Sequence, residues 1–228
     1  MTKFFPELSL VIPYYYDAGC PIPFVTSLEK ELKKYNIDYE LILVDDCSGD
    51  STPQELSQLK SERVKVILNK KNQHFGGAIQ TGFEQATGKI FGFSCGDGDV
   101  SPENVVKVYN NVNGMDVVKA RRLNRNDGII RKIITNMFLL LTRIKFGLKL
   151  KDINGFPVFL KREIYLDVRK RWKLKNDFNF NIDLYNKLNK LGYKKIEEIT
   201  IMHNKRISGE SKLTPKRLIS TIWEFLKL

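Results

Sequence analysis

Residues 90–102 read IFGFSCGDGDVSP. The apolar run from Ile90 to Ser94 stops at Gly96-Asp97-Gly98-Asp99, and Ser101-Pro102 then has the form of a helix start. A short buried strand, a glycine-rich acidic turn and a helix make one unit of an alternating α/β chain. Two carboxylates one small residue apart can face the same hard cation. Mg²⁺ or Mn²⁺ takes oxygen ligands and leaves positions for water and phosphate oxygens. Gly96 and Gly98 let the backbone approach a ligand closely. Taken alone, the triplet reads as readily as an ordinary acidic turn. A calcium EF-hand fits poorly, because the ligand spacing does not continue.

Working outward, the same unit recurs. Leu8 to Ile12 reads as a buried strand ended by Pro13. Phe24, Val25, Leu28 and Leu32 have helical spacing over residues 23–35. Glu40 to Val44 is a second strand, ending at Asp45-Asp46. Ser51 or Thr52 caps a helix with Pro53 in its first turn. Val64 to Leu68 is a third strand, and Gly76 to Ala86 a helix closed by Gly88. Asp116 to Ala120 is a fifth strand. The alternation predicts a mostly parallel central sheet with helices on both faces, a Rossmann-like α/β fold. Ligands of such sheets sit beyond the carboxyl ends of the strands, where Asp45, Asp46, Asp97 and Asp99 all fall.

The second half is less regular. An amphipathic stretch covers 129–148, a strand-like segment Gly155 to Leu160, a helix about 178–191, a strand 194–202, and a terminal helix follows Pro215. No Pro-, Gly- or Ser-rich linker divides the chain. One domain over 1–228 is expected, with a first half (1–122) and a second half (123–228).

Lys and Arg number 38 against 26 acids, a net charge of +12. That balance fits an anionic partner or surface but does not choose among nucleic acid, phosphorylated substrate and membrane headgroups. Cys20, Cys47 and Cys95 lack CxxC spacing, which points to reduced thiols in a cytoplasmic setting. Two histidines, His74 and His203, exclude a His-rich metal site. The N-terminal apolar stretch is broken by Pro6 and Glu7, so no signal peptide is expected. No run approaches the roughly 20 apolar residues of a membrane span.

The first strand lacks a GxGxxG turn, and there is no GxxxxGK[ST] loop. Instead it ends in Pro13-Tyr14-Tyr15-Tyr16-Asp17, the second ends in Val44-Asp45-Asp46-Cys47-Ser48, and NQHFGGAIQTGFEQATG (72–88) precedes the acidic turn. This ordered set, over residues 8–122, resembles the family 2 glycosyltransferases, whose fold is the GT-A type. The resemblance implies that 1–122 binds a nucleotide sugar, with Pro13 and Tyr15 shaping the nucleotide pocket. Asp45 and Asp46 would meet base or ribose, and Asp97 and Asp99 would hold Mg²⁺ or Mn²⁺ at the donor diphosphate. Tyr16 stands where the family usually has Asn, and His74 where glycine is common. His74 is given no role, and Cys47 is read as a small buried residue.

Arg206-Ile207-Ser208-Gly209-Glu210-Ser211-Lys212 resembles the RxxGxSK loop of polyprenyl-phosphate sugar transferases of the dolichol-phosphate mannose synthase type. Asp152-Ile153-Asn154-Gly155-Phe156 resembles their DxxSGF stretch, with Asn for Ser. This narrower resemblance implies that Arg206 and Lys212 close over the diphosphate, with Ser211 donating to it. Arg121 would lie at donor or acceptor phosphate and Arg131 at acceptor phosphate. It further implies an inverting transfer of a sugar from a UDP- or GDP-linked donor to a polyprenyl phosphate, with no strong general base, since a phosphate is largely ionised near neutral pH.

Ile130, Ile133, Ile134, Met137, Phe138, Leu141 and Ile144 form a helical stripe flanked by Arg131, Lys132, Arg143 and Lys145. Leu218, Ile219, Ile222, Trp223, Phe225 and Leu226 have similar character. With the charge and the lipid-transferase resemblance, these helices point to a peripheral enzyme on the cytoplasmic face of a membrane, though core or dimer helices would show the same period. The alternative enzyme adds a sugar to a glycan hydroxyl in capsule, wall or lipopolysaccharide synthesis and needs a carboxylate base, for which Asp177 and Asp183 are the candidates. A non-catalytic nucleotide-sugar or membrane-binding module is the more distant alternative, and a nucleic-acid partner leaves the acidic strand ends unexplained. Oligomeric state is left open.

Overall fold

The computed structural model describes residues 5–123, 129–202 and 225, with side chains of 129–134 excepted. Among the described residues, seven strands form one sheet in the order β3-β2-β1-β4-β6-β5-β7. These are β1 Leu8–Tyr14, β2 Tyr39–Asp45, β3 Val64–Leu68, β4 Ile90–Phe93, β5 Val117–Leu123, β6 Val158–Lys161 and β7 Ile196–Met202. Six strands run parallel, and β6 lies antiparallel between β4 and β5.

The seven described helices are α1 Pro21–Lys34, α2 Thr52–Gln58, α3 His74–Glu84, α4 Pro102–Tyr109, α5 Ile129–Phe146, α6 Arg162–Arg171 and α7 Phe180–Lys190. Side-chain alternation along the strands divides the interior into two layers. Leu8, Leu10, Ile12 and Tyr14 of β1 pack with α1, α2 and α4, while Val11 packs on the opposite face with α3, α6 and α7. The second layer also takes up Phe138 and Phe146 of α5, and Phe225 sits between them with ring centroids 4.9 and 5.6 Å away.

Local chemistry explains the helix limits. Prolines occupy the first turn of α1, and Lys33 and Lys34 lie in its last turn against the negative end of the dipole. Asn36 (φ 52°) then closes it, with Ile37 N donating to Leu32 O and Asn36 N to Lys33 O. Ser101 caps α4 by accepting from Asn104 N.

Three expectations are corrected. Gly88 does not end α3, whose cap is Gln85. It lies under β1, where Gly88 N donates to Ser9 Oγ at 2.7 Å and a Cβ would collide with the Ser9 backbone. Cys47 is exposed rather than buried. At the start of α2, neither hydroxyl caps: Ser51 Oγ donates to Glu55 Oε1, and Thr52 Oγ1 accepts from Asp17 N. Helix α6 was not expected, and β6 is shorter than the segment read for it.

Candidate active site

Strands β2, β1 and β4 are adjacent and parallel, so their carboxyl ends form one edge. Tyr14 and Asp45 are register partners, and Asp46 N donates to Tyr14 O at 2.9 Å. Across the other side of β1, Ser94 N donates to Val11 O. The structure thus brings Pro13, Tyr15, Asp45, Asp46, Asp97 and Asp99 to a single edge of the sheet.

Three residues around this edge, Tyr16 (φ 53°), Cys47 (φ 68°) and His74 (φ 63°), adopt left-handed backbone without being glycine. Such conformations cost roughly 1–3 kcal/mol each and cluster where a ligand site over-determines the chain. They also account for two departures noted in the sequence. Asn tolerates the left-handed region that Tyr16 occupies, and glycine the one that His74 occupies.

The carboxylates differ in how they are employed. Asp46 Oδ1 accepts from Asn69 Nδ2 at 2.9 Å and from Gln73 N at 2.8 Å, tying the end of β2 to the entry of α3. Asp45 is buried, and its Oδ2 accepts from Ser48 N, yet its Oδ1 is buried with no hydrogen-bond donor among the described residues. Asp97 Oδ1 accepts from Asp99 N, which folds the acidic turn on itself. Asp99 is buried and Asp97 half-buried.

Among the described residues, no group of three or more His, Cys, Asp or Glu side chains converges as a closed metal site. Two hard oxygen donors on a glycine-flanked turn fit Mg²⁺ or Mn²⁺ that completes its shell with phosphate and water oxygens.

Strand β5 adds a cation that the sequence reading passed over. Arg122 forks onto Asp152, Nε to Oδ2 at 2.8 Å and Nη2 to Oδ1 at 2.9 Å, and Arg122 N donates to Oδ2 as well. Burial opposes the Arg122 charge, but Asp152 more than offsets this, and Asp99 adds to the stabilising field. Gly155 makes room for the pair, since a Cβ there would meet Ala120 O at 2.0 Å and Asp152 Oδ2 at 2.9 Å. Lys119, wholly buried, donates to Asp152 O and Ala120 O and stands 3.8 Å from Glu198. Parity along the strand was the available signal: Arg122 shares its face with Val118 and Ala120, which line the core beside β1.

Arg121 is on the other parity and is not brought to the carboxylates. It lines an open pocket of about 460 Å³ with Lys149, Lys151, Glu197 and Glu198, which shares no lining residue with Asp45, Asp97 or Asp99. Arg131 lies in the first turn of α5, its side chain outside the described residues, as are Arg206, Ser211 and Lys212. Asp183 Oδ2 accepts from Lys175 N at 2.9 Å and Lys187 Nζ at 2.7 Å, and Asp177 Oδ1 accepts from Asn179 N.

Comparison with known proteins places this geometry. The chain is 29% identical over 225 residues to undecaprenyl-phosphate 4-deoxy-4-formamido-L-arabinose transferase of Pseudomonas fluorescens, covering 96% of this chain and 64% of the relative. It is 29% identical over 232 residues to dolichol-phosphate mannosyltransferase of Pyrococcus furiosus, covering 97% and 62%. The chain therefore spans less than two thirds of the length of either relative. Among solved structures, it resembles mannosyl-3-phosphoglycerate synthase from Rubrobacter xylanophilus (TM-score 0.76, 14% identity, 97% of this chain and 73% of that one). It also resembles glucosyl-3-phosphoglycerate synthase from Mycobacterium tuberculosis, crystallised with Mn²⁺, UDP and phosphoglyceric acid (TM-score 0.74, 17% identity, 97% and 78%). These likenesses identify the fold as GT-A. A sequence profile described as Glycosyl transferase family 2 matches residues 9–177, a span holding both the β1–β2–β4 edge and the acidic turn, and the chain belongs to that family.

Proposed function

We propose that this chain transfers a sugar from a UDP- or GDP-linked donor to a polyprenyl phosphate at a membrane surface, with inversion at the anomeric carbon. The observation that carries the donor half is the shared edge of Asp45, Asp97 and Asp99. Asp45 Oδ1 is a buried acceptor in want of a donor, and a nucleobase N–H or a ribose hydroxyl is a donor of the right kind. Asp97 and Asp99 would hold Mg²⁺ or Mn²⁺ against the diphosphate. When bound, that cation would supply positive charge against the negative charge that builds on the leaving nucleoside diphosphate.

The acceptor half rests on the named relatives and on two features of this chain. A polyprenyl phosphate oxygen attacks the anomeric carbon as the bond to the nucleoside diphosphate breaks, and the leaving group keeps the electron pair. No base is needed, because the phosphate is already ionised. Asp183 fits this reading, being committed to Lys175 and Lys187 rather than poised for a hydroxyl. The second feature is α5. Met137, Leu140, Leu141 and Ile144 share an outer face and are 41–73% exposed, while Phe138, Leu139 and Phe146 pack inward. No helix among the described residues is long and apolar enough to cross a membrane, so this face fits an interfacial helix lying on one. In this reading Arg122 serves the donor side beside Asp99, and Arg131 remains for acceptor phosphate.

The test is transfer of labelled sugar from a panel of UDP- and GDP-sugars, with Mn²⁺, to polyprenyl phosphate in one arm and to glycan acceptors in the other. Label in the lipid arm is expected. Label on glycan hydroxyls alone overturns the acceptor assignment.

A further inference from the structure

Tyr14 is wholly buried at the end of β1, and its hydroxyl has no hydrogen-bond partner among the described residues. A buried hydroxyl left unsatisfied is destabilising, and phenylalanine would supply the same ring without that cost. The hydroxyl lies directly beneath the acidic turn: a Cβ on Gly96 would meet Tyr14 Oη at 2.3 Å, so the glycine lets the phenol reach the residue next to Asp97. A phenol is an intact O–H donor at neutral pH. Asp17 Oδ2 already accepts from Tyr15 N, and the hydroxyl abuts Gly96, the residue that precedes Asp97.

We propose that the Tyr14 hydroxyl is a positioning donor for the Asp97-Gly98-Asp99 turn, closing onto the Asp97 carboxylate when the turn holds a divalent cation with a nucleoside diphosphate. This rests on the metal reading of Asp97 and Asp99. The hydrogen bond holds one carboxylate in its binding orientation while leaving the oxygen that faces the cation available. Tyr14 touches neither cation nor diphosphate.

The experiment is Mn²⁺ titration of the full chain with UDP or GDP present, read by electron paramagnetic resonance of free Mn²⁺, alongside thermal midpoints without metal. Wild type, Tyr14→Phe and Asp99→Asn are compared. Tyr14→Phe is expected to keep or raise the metal-free midpoint while weakening Mn²⁺–nucleotide binding about tenfold, as loss of one hydrogen bond to a charged group implies. Wild-type affinity in Tyr14→Phe, with Asp99→Asn clearly weaker, overturns the inference and spares the metal reading. A fall in the metal-free midpoint of Tyr14→Phe also overturns it, since the hydroxyl then has a partner in the empty turn. Wild type binding no better than Asp99→Asn overturns the metal reading itself.

Discussion

Arg122 and Asp152 are joined by a two-pronged ion pair thirty residues apart in sequence, at 2.8 and 2.9 Å, with both side chains about nine-tenths buried. Removing one member of such a pair strands the other charge in a low-dielectric site. Asp152→Asn is expected to destabilise the fold by about 3 kcal/mol, read by urea denaturation at pH 7. The double variant Arg122→Met, Asp152→Leu is expected to regain part of that loss, since Arg122 N and the buried Lys119 still lose the carboxylate. A double variant no more stable than Asp152→Asn would show that shape, not charge, sets the cost.

The same pair fixes a pH response at the acid end. Burial would raise the Asp152 carboxyl, but the Arg122 hydrogen bonds, then the charges of Arg122 and Lys119, hold it down at about 2. Its folded value is below its unfolded one, so its contribution is complete above about pH 4 and is lost as pH falls toward 2. Denaturation of wild type and Asp152→Asn from pH 5 to 2 should show their difference shrinking by on the order of 2 kcal/mol.

Lys119 acts at the alkaline end. Burial pulls its ammonium down to about 8, against the opposing charges of Asp152 and Glu198. A lysine lowered on folding costs stability while it is charged, and that cost is relieved as pH rises from about 8 to the unfolded value near 10.4. Wild type should therefore gain stability relative to Lys119→Met between pH 7.5 and 10, by an amount on the order of 2–3 kcal/mol. A difference that stays flat across this window would place the Lys119 charge outside the titration.

Much of this arrangement is legible in the sequence, and the gaps have physical causes. The strands ending at Asp45 and before Asp97 are continuous apolar runs, as strands covered on both faces must be, and the glycine turn behind the second is local. Lys119 and Arg122 do not stand out in the sequence, because their partners are distant along the chain, Asp152 on a loop and Glu198 on β7. Helix α6 was missed for a similar reason: in REIYLDVRKR only Ile164, Tyr165 and Val168 are buried, too sparse a stripe to stand out among the charges. Left-handed Tyr16 and His74 show how a residue that departs from a family pattern carries conformational information even where its side chain has no assigned role.

His74 offers a direct test of that strain. Its φ of 63° is ordinary for glycine and costs an L-residue about 1–2 kcal/mol, partly offset by the greater chain entropy glycine loses. His74→Gly is expected to raise stability by up to about 1 kcal/mol, whereas His74→Ala, which keeps a Cβ, should give no such gain. Equal midpoints for the two variants would mean the imidazole, not the backbone, governs this position.

The outer face of α5 gives the sharpest test of where the chain works. Leu140 is 57% and Ile144 73% exposed one turn apart, and Arg143 stands exposed between them. Full burial of such a side chain in an apolar medium is worth about 1.5–3 kcal/mol, and each basic residue near an anionic surface adds about 1 kcal/mol. Leu140→Glu with Ile144→Glu removes the first term and opposes the second, while exposed positions leave the packed side of the helix, Phe138 and Phe146, untouched. The double variant should therefore keep the wild-type thermal midpoint and lose at least tenfold in flotation with anionic liposomes at low salt. Equal flotation would move the membrane contact off this face. Failure of the wild type to float would remove it from the chain, whatever acceptor the site takes.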